Sequence, residues 1–92
     1  MIALEDLIGF CDLTTDEVHA IAEHEHISDA LAAVLGTTLL ESEDGPEQIR
    51  VMLRDDIRAA VRRRDVVHAR HLVSTLCRFL HQHPDIRLRC AA

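Results

Sequence analysis

Apolar residues recur at intervals of three and four along most of this chain, and four polar interruptions divide that pattern into five stretches of helical period. The first stretch, residues 3–11, carries Leu4, Leu7, Ile8 and Cys11 on one face. Asp12-Leu13-Thr14 breaks it, and Thr14 followed by Glu17 matches a capping box in which hydroxyl and carboxylate satisfy backbone donors at a helix start. A second helix is predicted over 15–25, with Val18, Ile21 and Ala22 as its apolar stripe. Glu25 would fall on that stripe, so the helix is expected to break between His24 and Ile27. Ser28 then opens a third helix over 28–42 that is apolar nearly all round, from Ala30 to Leu40. A helix of that kind is expected at the centre of a core or at a subunit interface. Gly36 would let another element cross it closely.

The run Glu41 to Pro46 reads as a loop, with Gly45 suited to a left-handed position and Pro46 to the first turn of the next helix. The fourth helix, 46–63, places Ile49, Met52, Leu53, Ile57, Ala60 and Val61 inward. Asp65 caps a fifth helix that runs to about residue 83 and turns Ala69, Leu72, Val73, Leu76, Phe79 and Leu80 inward. Pro84 ends it, because a residue before proline avoids the helical region. The tight turn between the last two helices predicts an antiparallel hairpin. The expectation is therefore an all-α, compact bundle of about five helices in one domain, 1–84, with a loosely packed tail over 85–92. No segment reads as a strand.

Composition sharpens this picture. The chain has 92 residues, of which 48% are apolar, but only two are aromatic, Phe10 and Phe79. Small helical bundles with few aromatic anchors bury further surface by self-association, so a homodimer is expected. The net charge is −6, there is no lysine, and residues 1–48 contain no basic side chain except histidine. That charge argues against nucleic-acid binding, which needs a basic field. It sets an acidic first half against an arginine-bearing second half, which favours packing within or between chains. Arg50, Arg54, Arg58 and Arg62 fall at four-residue steps on one helix face, as a solvated ion-paired surface or an anion-binding one. No apolar run is long enough to span a bilayer. Cys11, Cys77 and Cys90 form no metal-type spacing. Cys11 and Cys77 are expected as small buried residues in a reducing cytoplasm.

Seven histidines supply the candidate chemistry. On a continuous helix His19, Glu23 and His26 share one face, at the spacing by which a carboxylate and imidazoles grip a divalent transition metal such as zinc or iron. His68 and His71 on the fifth helix could complete such a site. The alternative is that all five are solvated helix-end and surface residues. No nucleophile elbow, phosphate-binding glycine loop or H-E-x-x-H motif is present, so no catalytic residue is expected.

The segments Leu4-Glu5-Asp6-Leu7, Cys11-Asp12-Leu13-Thr14, Ala20-Ile21-Ala22-Glu23-His24-Glu25-His26, Ile57-Arg58-Ala59-Ala60 and His68-Ala69-Arg70 are similar to those of small all-helical bacterial proteins with no assigned activity. The resemblance spans nearly the whole chain and implies neither cofactor nor site residue. Together these readings lead to the expectation of a non-catalytic interaction or assembly module in the cytoplasm, acting as a homodimer with an unidentified protein partner and without cofactor. The rival is a divalent-metal protein built on His19, Glu23 and His26.

Overall fold

The computed structural model describes residues 13–86, and these fold into four α-helices without a strand among the described residues. They are α1 (Thr15–Glu25), α2 (Asp29–Glu41), α3 (Gly45–Arg62) and α4 (Val66–Gln82). The helix expected over 3–11 and tail residues 87–92 lie outside the described residues. The Cα radius of gyration is 12.9 Å, close to the value of about 12 Å for a compact chain of this length. Among the described residues, no helix is long and apolar enough to cross a membrane.

Each helix start is fixed by local chemistry. Thr14 accepts a hydrogen bond from the Glu17 amide at 3.2 Å, and Glu17 accepts one from the Thr14 amide at 3.0 Å, closing the capping box of α1. Ser28 caps α2 by accepting from the Leu31 amide, and Asp65 caps α4 by accepting from the His68 amide, each at 3.2 Å. α1 stops at His26, whose φ of 57° is left-handed and whose amide donates to the Ala22 carbonyl. Pro84 begins a further helical turn over 84–86 that buries Ile86.

α3 is the central element: it packs against α1, α2 and α4, and shares its largest contact with α4. Ile49, Met52, Leu53 and Ala60 of α3 meet Val18, Ile21 and Ala22 of α1 and Leu72 and Phe79 of α4 in one core. Of the two places expected for α2, the core centre or a subunit interface, the core centre is taken by α3 instead. α2 fully buries only Ala32, Ala33 and Gly36, small residues that let it lie close to its neighbours; Leu35, Leu39 and Leu40 pack against the core half-buried, while Leu31 and Val34 turn outward. Cys77, expected inside, is exposed.

Two glycines are needed for close approach. A Cβ at Gly36 would meet the tips of Leu13 and Ile21, flexible ends that can rotate away. A Cβ at Gly45 would overlap the Leu39 carbonyl, which is backbone. Gly45 is not left-handed, contrary to the sequence expectation; it is required because the chain turns back onto the end of α2. Gly45→Ala is expected to cost about 1–3 kcal/mol through a forced backbone shift. Gly36→Ala should cost less, because alanine regains up to ~1 kcal/mol of helix propensity. Comparing the two thermal midpoints checks this order.

Candidate functional site

Two features on the helix framework could carry function: a layer of imidazole–carboxylate pairs and an apolar groove. The layer forms where α1 meets α3 and α4. His68 Nε2 of α4 lies 2.6 Å from Glu23 Oε1 of α1, and His24 Nε2 lies 3.2 Å from Asp55 Oδ2 of α3. His71 Nε2 lies 3.2 Å from Asp16 Oδ1, which Arg78 also approaches at 3.9 Å. His19 pairs with Asp29 of α2 at 3.4 Å. Each of these four histidines projects from one helix toward a carboxylate of another, so the pairs mark helix junctions.

Asp56 lies beneath this layer, 4% exposed, and its Oδ2 has no hydrogen-bond partner among the described residues. Burial pushes its carboxyl up to about 7; the nearby Glu23 and Asp55 carboxylates add to the rise, and His24 and His68 partly offset it. Asp55 moves the other way, held below the usual aspartate range chiefly by its hydrogen bond with His24 and also by Arg54. Burial also raises Glu17, against the opposing effect of its two capping bonds. Asp56 and Glu17 could have been suspected from sequence, since both fall on the apolar stripes of their helices, Asp56 in step with Leu53 and Ala60. The approach of the α1 carboxylate Glu23 to Asp56 could not.

The sequence-predicted ligands separate. His19 turns to Asp29, Glu23 to His68, and His71 to Asp16. His26 is exposed at the left-handed end of α1. Of the five, only Glu23 and His68 meet. Among the described residues, no three His, Cys, Asp or Glu side chains are grouped to hold a metal ion. In the arginine row of α3, Arg50 grips Glu47 one turn back through two bonds of 3.0 and 2.6 Å and Arg54 approaches Asp55 at 3.5 Å, while Arg58 and Arg62 are exposed.

The second feature lies along the outer side of α3 and α4. Ile57 and Val61 of α3 and Val66 and Val73 of α4 line a groove of about 750 Å3, with Arg64 and Arg70 at its edge. Val61 and Val66 are 60% and 58% exposed and Val73 44%, although Val61 and Val73 were expected inward. The reason is geometric: the apolar stripes of α3 and α4 are wider than their mutual contact, and no residue of α1 or α2 lines the groove. Arg62, Arg63 and Val67 are exposed beside it. None of the layer residues lines this groove. No known family, curated protein or solved structure matches the chain.

Proposed function

We propose that this chain is a non-catalytic interaction module of the cytoplasm that assembles as a homodimer, with α3 and α4 as an antiparallel hairpin whose outer groove is the pairing surface. One observation carries the reading: three valines stand open to water along a single groove whose edge is basic. A monomer of this size has little reserve of core, since a domain near this length buries only about two-thirds of its unfolded surface. Withdrawing each groove valine from water contributes about 1 kcal/mol or more to association. Isolated exposed apolar residues need no explanation, but a contiguous patch of them marks an interaction surface.

Val61→Glu tests the reading. The side chain is exposed, so folding should be nearly unaffected, and far-ultraviolet circular dichroism should overlay on the parent. Pairing should weaken at least about tenfold, a loss of about 1.4 kcal/mol. Light scattering behind a sizing column reads the change as a shift from dimer to monomer mass. A variant that pairs as tightly as its parent removes the groove from the interface.

A further inference from the structure

A second apolar face lies on α2, and it has the chemistry to fill the groove. Leu31 and Val34 are each 60% exposed, and exposed Thr38 and Glu41 continue their line along the helix. These four positions follow steps of three, four and three, the spacing at which one helix presents a continuous stripe to a groove. The two faces are opposite in charge. No lysine or arginine precedes Arg50, and exposed Glu25, Glu41, Glu43 and Asp44 flank α2 at its two ends. The groove carries Arg64 and Arg70 at its edge, with Arg62 and Arg63 alongside and Asp65 as the near acidic residue. Groove against groove would bring these arginines together, whereas α2 against the groove places carboxylates beside them.

Resting on the homodimer reading above, we infer that the groove of each copy receives α2 of the other, with Leu31 and Val34 entering between Val61 and Val73 and the acidic ends of α2 meeting the arginine edge. Reciprocal exchange makes the interface closed: whatever Val34 of one copy touches, Val34 of the other touches in turn. The occupant is a second copy of this chain.

The test uses two single-site variants of the full chain, Val34→Arg and Val61→Glu. Both positions are exposed, and circular dichroism and thermal melts establish that each variant folds. Each alone should sediment as a monomer: the first sets an arginine against the arginine edge, the second sets a carboxylate in the groove against acidic α2. Mixed in equal amounts they should form a one-to-one dimer, because one contact is then wild type on both sides and the other pairs the new arginine with the new glutamate. A parent that stays monomeric overturns the homodimer itself. A parent that dimerises, with Val61→Glu monomeric and Val34→Arg still dimeric, leaves that reading in place and overturns the inference about α2. Two monomeric variants that do not combine overturn it as well. Added salt should weaken the parent dimer, as charge pairing at the edge requires; an unchanged dissociation constant across ionic strengths contradicts the charge complementarity.

Discussion

Phe79→Ala is expected to remove about 3–5 kcal/mol of folding stability. Phe79 is the largest fully buried side chain and the sole aromatic residue in the core among the described residues. It belongs to the core that residues of α1, α3 and α4 form together, and its ring lies 4.3 Å from that of His83, centre to centre. Alanine leaves a cavity that neighbouring aliphatic side chains fill only in part. Domains are stable by about 5–15 kcal/mol in all, so the variant should lie close to the threshold of unfolding at physiological temperature. Urea titration checks the value. The midpoint should fall while the slope stays the same, because the surface exposed on unfolding hardly changes. A loss below about 1 kcal/mol would mean that α4 does not pack through this ring.

Asp56→Asn should act in the opposite direction, by an amount that grows as pH rises from about 4 to 7 and then stays constant. The native state holds the Asp56 proton up to about pH 7, whereas an ordinary aspartate releases it near 3.8. Between those values the folded chain binds more protons than the unfolded one, so this residue makes stability fall as pH rises, and the loss is complete above pH 7. At about 1.36 kcal/mol per pH unit, the gap corresponds to about 4 kcal/mol. Asparagine has nearly the same shape and never ionises. The variant should match its parent near pH 4 and exceed it at pH 8 by several kcal/mol, a rise in thermal midpoint of about ten degrees or more. Subtracting the parent's curve isolates Asp56 from the buried Glu17, whose carboxyl is raised as well, and from Asp55, whose carboxyl is lowered. A difference between variant and parent that does not depend on pH contradicts the assignment.

The readability of this chain follows the range of the forces involved. Helix ends were legible because caps act over three or four residues: Thr14 with Glu17, Ser28, Asp65 and Pro84 each stand where the sequence places a start or a stop. The break of α1 at His26 was legible too, since continuing the helix would carry Glu25 onto the apolar face. What the pattern could not resolve is which apolar side chains the other helices cover. Val61 and Val73 fall one turn after the inward-facing Ile57 and Ala69, yet they stay exposed along the groove, because coverage depends on where the other helices pack. Gly45 has a similar history: its composition signals a turn, but the nearness of the Leu39 carbonyl comes from the return of the chain onto α2. The imidazole layer lay furthest from sequence reasoning. Local spacing joins His19, Glu23 and His26 on one helix, whereas packing sends Glu23 to His68, 45 residues away.

Self-association is the proposition on which the functional reading turns, and sedimentation equilibrium of the unmodified protein tests it most directly. Over micromolar to millimolar concentrations, the average mass should climb reversibly from the 10.4 kDa of one chain toward twice that value. A mass fixed at 10.4 kDa throughout would contradict it.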